Sequence, residues 1–204
     1  METFKSKTRF TVIALLFVST IAIFSSCTNN NDTDSVPPAH VMIVNTVAGS
    51  AGQDFYLNNV KINSPAVAYG QSTAYITTQA GTDNAQFFNS GTKTVNNSFS
   101  LTLEPGNYYT VYYTGKNTTS ANYTTLDNVS TPPAGSASIQ FINFNADVSS
   151  GLDFGVVGAS KIASNVLSGS ASAYYSVAAN SSLAVYLAGS SNIKLPSRLR
   201  CKVG

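Results

Sequence analysis

Ser98-Phe-Ser-Leu-Thr-Leu-Glu-Pro-Gly-Asn-Tyr-Tyr-Thr-Val-Tyr-Tyr113 reads as strand, turn, strand. Phe99, Leu101 and Leu103 alternate with serine and threonine, the period-two pattern of a half-buried strand. Glu104-Pro-Gly-Asn107 is the turn, with Pro105 presetting φ at its second position and Gly106 free to take positive φ at its third. Tyr108 to Tyr113 form the next strand, which the sequence stops at Gly115. Tyr109, Val111 and Tyr113 share one face of it, and Tyr108, Thr110 and Tyr112 the other. One set belongs to a core. The other presents phenol rings with a stacking face and a hydroxyl, suited to sugars or partner proteins unless both faces are covered or simply wet. Tyr108 and Tyr112 are therefore the candidate ligand-stacking residues.

The pattern continues on both sides. Val41-Met-Ile-Val44 reads as a buried strand, and Asp54-Phe-Tyr-Leu57, Thr73-Ala-Tyr-Ile76 and Ala85-Gln-Phe-Phe88 as further strands. No stretch after Cys27 has a helical period. Short strands at roughly ten-residue spacing point to an all-β fold built as a sandwich. Composition agrees: 11 Tyr and 11 Phe occur without a single Trp, only 10% of residues are charged, and polarity comes from Asn, Ser and Thr. That is a strand-and-turn composition.

The chain then repeats itself. Ala39-His-Val-Met-Ile-Val-Asn45 matches Ala137-Ser-Ile-Gln-Phe-Ile-Asn143 at an offset of 98 residues. Asp54-Phe55 matches Asp153-Phe154, Ala74-Tyr75 matches Ala173-Tyr174, and Ala85-Gln-Phe-Phe88 falls on Ala184-Val-Tyr-Leu187, all at 99. Thr131-Pro-Pro-Ala-Gly135 is the seam. From about Ala39 to Gly189 the order of these blocks resembles the domain of unknown function 4397 family of bacterial envelope lipoproteins. The carriers are the opening strand Val41 to Asn45, the Asp54 to Leu57 strand, the closing Gly106-Asn-Tyr-Tyr-Thr-Val111, and the junction Leu126-Asp-Asn128 to Gly135. The resemblance implies Ig-like or transthyretin-like sandwiches and no known catalytic residues.

The second copy departs from the first. By the offset, Leu101 to Gly115 should recur near positions 200 to 214, but the chain offers Leu195-Pro-Ser-Arg-Leu-Arg-Cys-Lys-Val-Gly204. The expectation is an incomplete second sandwich, from a truncated or frame-shifted coding region, with unpaired edges that favour aggregation or strand donation by a partner. The alternative is a natural basic tail, carrying Lys194, Arg198, Arg200 and Lys202, that binds something.

At the other end, Lys5, Lys7 and Arg9 precede an uncharged run from Phe10 to Phe24, then Ser25, Ser26 and Cys27. This is the charged, apolar, small-residue order of a secretory signal. A cysteine directly after the small residues resembles the lipobox of bacterial lipoproteins, which implies a diacylglycerol on the Cys27 sulfur, cleavage just before it, and acylation of the new amino terminus. Several acyl chains suffice for stable anchoring. The competing readings are a plain cleaved signal and an uncleaved membrane helix; a run of about 15 residues is short of the roughly 20 a bilayer needs. Thr28 to Pro38 read as a flexible tether.

The formal net charge of +2 is concentrated at the two ends, leaving a nearly neutral body. No basic face is available for nucleic acid. With Cys27 lipidated, Cys201 lacks a partner and the fold has no internal disulfide. His40 is the only histidine, too few for a histidine-rich metal site, and reads as a strand-end residue. No Gly-x-Ser-x-Gly elbow, phosphate loop or acidic calcium loop of the Asp-x-Asp type follows the tether. Cys201 reads as a bystander thiol. Asp54 and Asp153 resemble a glycosidase pair only superficially: equivalent positions of two repeats belong to separate domains, and a shared structural role is the better account.

The sequence thus predicts an all-β chain: a lipoprotein signal peptide over 1–26, lipidated Cys27 and tether over 27–38, a first β-sandwich module over 39–133, and an incomplete second module with a basic tail over 134–204. The expected function is that of a cell-envelope lipoprotein anchored by lipid to the outer membrane. It would be non-catalytic and without cofactor or metal, and would bind or adhere to a glycan or another envelope protein. The alternative is a structural subunit or assembly partner of an envelope complex.

Overall fold

The computed structural model describes residues 36–200, apart from 117, 118 and 146. The signal segment, lipidation candidate Cys27, most of the tether and Cys201 lie outside the described residues. Fourteen strands and no helix make up the described chain.

The first eight strands form two four-stranded sheets. One has the order β4-β1-β7-β8, from Ile76–Thr78, Ala39–Asn45, Tyr108–Lys116 and Thr119–Leu126. The other has the order β3-β2-β5-β6, from Val60–Lys61, Gln53–Leu57, Gly81–Asn89 and Val95–Leu103. Alternation decides which side of each strand faces the other sheet. Ala39, Val41 and Ile43 of β1 and Val111 of β7 are fully buried, and Tyr109 and Tyr113 nearly so. They meet Phe55, Leu57, Ala85, Phe87, Leu101 and Leu103 of the second sheet in one core. Phe55 and Phe87 pack 4.7 Å apart with tilted rings, and Tyr113 adds a third ring 5.1 Å from Phe87. Such pairs add to simple area burial. Most neighbours are antiparallel, but β1 and β7 run parallel, with His40 opposite Tyr108 and Asn45 opposite Tyr113.

The turn between β6 and β7 forms as its residues require. Asn107 N–H donates to Glu104 O, and Gly106 takes φ 74°. The Tyr109 hydroxyl accepts the Glu104 N–H at 3.0 Å, fixing the turn to the core side of β7.

Beyond the Pro-rich seam come β9 (Ser136–Asn143), β10 (Leu152–Val156), β11 (Lys161–Val166), β12 (Ser170–Ala178), β13 (Ser182–Leu187) and β14 (Ile193–Arg200). They form a four-stranded sheet β11-β10-β13-β14 and a two-stranded sheet β12-β9. Strand for strand this repeats β1 to β6. Among the described residues nothing corresponds to β7 and β8.

Three segments differ from their sequence reading. Thr73, Ala74 and Tyr75 lie before β4 instead of within it, because the Thr73 hydroxyl takes the Ile43 N–H at 3.0 Å and interrupts the ladder beside β1. Gly115 does not end β7, which continues to Lys116 opposite Thr119. Strand β8 itself, Thr-Ser-Ala-Asn-Tyr-Thr-Thr-Leu, is too polar to show an apolar alternation.

Candidate functional site

The repeat has a physical basis in three matched pairs of polar residues, two of them buried. Asn45 ends β1 with no exposure; its amide donates to Val67 O at 3.1 Å and its carbonyl accepts Val47 N–H at 3.1 Å. Asn143 ends β9 and does the same with Val166 O and Asn145 N–H, both at 2.9 Å. Each asparagine pins an irregular chain crossing to the end of an inner strand and pairs a buried carbonyl there. Thr73 and Ser172 are a second matched pair, their hydroxyls accepting N–H groups of Ile43 and Phe141.

Asp54 and Asp153 are a third. Asp54 on β2 lies 2.7 Å from Lys61 Nζ, and Asp153 on β10 lies 2.6 Å from Lys161 Nζ. Asp153 also accepts the N–H groups of Asn165 at 2.7 Å and Gly189 at 3.0 Å. Burial alone would raise its pKa. The Lys161 hydrogen bond, the two backbone donors and the Lys161 charge outweigh burial and hold the carboxyl below its ordinary range. Both carboxylates are engaged in structural pairs on separate sheets.

Binding potential gathers on the outward face of the β4-β1-β7-β8 sheet. Tyr108, Thr110 and Tyr112 of β7 face away from the core, as Tyr109, Val111 and Tyr113 face into it. His40 on β1 stacks on Tyr108 with ring centroids 4.2 Å apart and planes 17° from parallel. Its Nδ1 lies 3.3 Å from the Thr77 hydroxyl. Tyr75 meets Tyr108 edge-on at 5.0 Å. Tyr112 sits 6.3 Å from Tyr123 of β8 and 5.3 Å from Phe144, which follows β9. The two candidates therefore occupy different surroundings: Tyr108 lies between His40 and Tyr75, and Tyr112 beneath Phe144 at the junction with the second set of strands.

Asp127, just past β8, organises the centre of this face. Its carboxylate accepts the Tyr75 hydroxyl at 2.8 Å, the Thr110 hydroxyl at 2.5 Å and the Thr125 hydroxyl at 2.8 Å. Its N–H donates to Tyr108 O. Burial, the Asp127 hydrogen bond and the Asp127 charge together raise the Tyr75 pKa well above that of an ordinary phenol. Burial does the same to Tyr112. The result is a patch of neutral phenols and one imidazole around one shared carboxylate. Such a patch can stack on apolar ring faces and exchange hydrogen bonds with hydroxyls.

The sequence marked Tyr108 and Tyr112 but missed Tyr75 and Asp127 as members of this patch. Tyr75 carried a signal, since it is one of the repeated blocks. Asp127 sits in the junction motif, where nothing local indicates that it reaches back to Tyr75. Among the described residues no group of three or more His, Cys, Asp or Glu side chains is placed to hold a metal ion. No helix among them is long and apolar enough to cross a membrane.

No curated protein matches the chain. Residues 39–150 match the model of the domain of unknown function 4397. That span covers more than half of the chain, the whole β1–β8 sandwich and the start of the second set of strands, and the chain belongs to this family.

Proposed function

We propose that this protein is a cell-envelope lipoprotein, held to the outer membrane by lipid on Cys27, whose β1–β8 sandwich binds or adheres to a ligand without chemistry. The observation that carries this reading is the outward aromatic patch of His40, Tyr75, Tyr108 and Tyr112 around Asp127. Aromatic residues are usually spent on a core, and here the core is already supplied by Phe55, Phe87, Tyr109 and Tyr113. Neutral phenols beside a stacked imidazole suit the faces and hydroxyls of a glycan, or a partner protein of the envelope.

The test is a glycan array and a panel of matrix proteins probed with the purified chain, repeated with Tyr108→Ala and Tyr112→Ala. Saturable binding that disappears in Tyr108→Ala, with the fold intact by circular dichroism, supports the reading. Binding unchanged in both variants refutes the patch as the site. Radiolabelled palmitate incorporation, abolished by Cys27→Ala, tests the anchor separately.

A further inference from the structure

The charge on the outward face of the β4-β1-β7-β8 sheet is unbalanced. Asp127 is held by the hydroxyls of Tyr75, Thr110 and Thr125, and among the described residues no cation pairs with it. The Lys61–Asp54 and Lys161–Asp153 pairs lie on other sheets. The sequence supplies no cation close by. β1, β4 and β8 contain no lysine or arginine, and β7 has only Lys116, at the opposite end of the strand from Tyr108. Thr110 and Thr125 are buried, whereas Asp127 and Tyr75 are half-buried and within reach of a ligand. A charge so placed is screened less than one in open water.

The proton inventory sharpens the point. A hydroxyl has one proton to give. Tyr75, Thr110 and Thr125 each give theirs to Asp127, so the Tyr75 oxygen turns only lone pairs to an incoming group. A carboxylate offers about four acceptor positions, and the three hydroxyls leave one open. The centre of the patch is thus an acceptor surface over a negative charge, bordered by the rings of Tyr75 and Tyr108. Burial and then Asp127 raise the Tyr75 pKa, and the field of Asp127 that opposes a phenolate favours a cation. Shape matters as well. His40 already stacks on Tyr108 at 4.2 Å, and Tyr75 meets it edge-on at 5.0 Å. A sugar ring needs an open aromatic face, and a slender chain ending in an ammonium group does not.

We propose that the patch receives a lysine side chain of a partner protein, with its ammonium against Asp127 and the Tyr75 oxygen and its methylene stem along Tyr108. The inference rests on the patch being the binding site and narrows its ligand to a cation. An ammonium near tyrosine rings is attracted by their π-faces. Its bond to a carboxylate is charge-assisted and stronger than a neutral one. The stem of a lysine covers apolar ring surface while the head stays polar. Arginine fits less well, because its planar fork works best with two carboxylate positions and Asp127 has one open. Every residue used here lies in the β1–β8 sandwich or directly after it.

The probe is Nα-acetyl-lysine N-methylamide, titrated into the full chain and followed through the ring-proton resonances of Tyr75 and Tyr108. Its Nε-acetylated form, glucosamine and N-acetylglucosamine are titrated in parallel. Saturable shifts in the millimolar range are expected with the lysine probe. The Nε-acetylated form should bind about tenfold more weakly, since it loses the charge-assisted bond. Added salt should weaken the lysine probe and leave the neutral one unchanged. These comparisons use the wild-type chain, so they hold even if Asp127→Asn fails to fold; where it folds, it should remove the preference for the charged probe. Equal binding of the charged and acetylated lysine probes, or no salt effect, would overturn the proposal. Tighter binding of either sugar would overturn the choice of lysine and leave the patch as the binding site. No shift with any of the probes would overturn both readings.

Discussion

Asp153→Ala should loosen β10 and β13 far more than Asp54→Ala loosens β2 and β5, although the two aspartates occupy the same place in the repeat. The Asp153 side chain is 4% exposed and satisfies three donors: Lys161 Nζ and the N–H groups of Asn165 and Gly189. Truncation leaves two backbone donors without this acceptor, at about 1–3 kcal/mol each. Lys161 is 28% exposed and keeps its bond to Ser190 O, so its share of the loss is small. The expected cost is about 3–5 kcal/mol, a large fraction of the 5–15 kcal/mol that holds a typical domain together. Asp54 faces chiefly Lys61, which is 38% exposed and can rehydrate, so its loss should cost about 1 kcal/mol.

Native-state hydrogen exchange read peptide by peptide separates the two regions. A loss of about 3 kcal/mol appears as a roughly hundredfold increase in opening of β10 and β13. The pH dependence supplies a second signature. The Asp153 carboxyl is depressed in the folded state relative to an unfolded value of about 3.9. Its contribution is therefore complete above the unfolded pKa and is lost as pH falls toward the folded one. The wild type should lose protection in β10 and β13 below about pH 4, and Asp153→Asn should flatten that fall. Equal effects of the two alanine variants, or less than a threefold change for Asp153→Ala, would refute the assignment of these hydrogen bonds.

Three other outcomes follow from the geometry. Asn45→Ala leaves the Val47 N–H without its acceptor and Val67 O with the Gln53 N–H alone, and should lower stability by about 1–3 kcal/mol, measured by urea unfolding followed through tyrosine fluorescence. In an ultraviolet pH titration Tyr75 and Tyr112 should stay protonated where ordinary phenols ionise, near pH 10, and Asp127→Asn should bring Tyr75 down by removing the charge that opposes its ionisation. Gly151→Ala should destabilise strongly, because the added carbon would lie 2.7 Å from the Asn165 carbonyl carbon. Gly52→Ala, at the equivalent position, meets the Ala66 methyl at 3.2 Å and should be mild by thermal unfolding.

Much of the architecture was legible because alternation is a local property. Phe99, Leu101 and Leu103 announce their burial without knowledge of their neighbours, and so do the two faces of Tyr108 to Tyr113. The constant offset also predicted that β9, β10 and β13 repeat β1, β2 and β5. Burial follows the offset, with Ala184 and Tyr186 buried like Ala85 and Phe87. Pairing does not: Phe55 opposes Phe87, but Asp153 opposes Tyr186, a slip of one residue. The slip accompanies irregular pairing between β10 and β11, which no single-strand pattern records.

What stayed hidden was nonlocal or polar. β8 is stabilised by pairing with β7 along its whole length, so its threonines and asparagine need no apolar stripe. Thr73 turns a promising strand into an interruption because its hydroxyl lies near Ile43, a proximity set only by the fold. Asp127 joins Tyr75 across 52 residues, and its role exists only once β7 and β8 have paired.

The parallel contact between β1 and β7 also governs when the first sandwich can be finished. Its opening strand, paired with β4 on one side, finds its neighbour on the other side only after the segment near Tyr113, 67 residues beyond Thr46, has been synthesised. Closing so wide a loop is slow relative to forming hairpins such as β5–β6 or β7–β8. A chain emerging from its amino end must therefore hold one edge of the apolar strand Val41-Met-Ile-Val44 in waiting until Tyr113 has appeared. Sensitivity of yield to translation speed is the expected consequence of this order of strands.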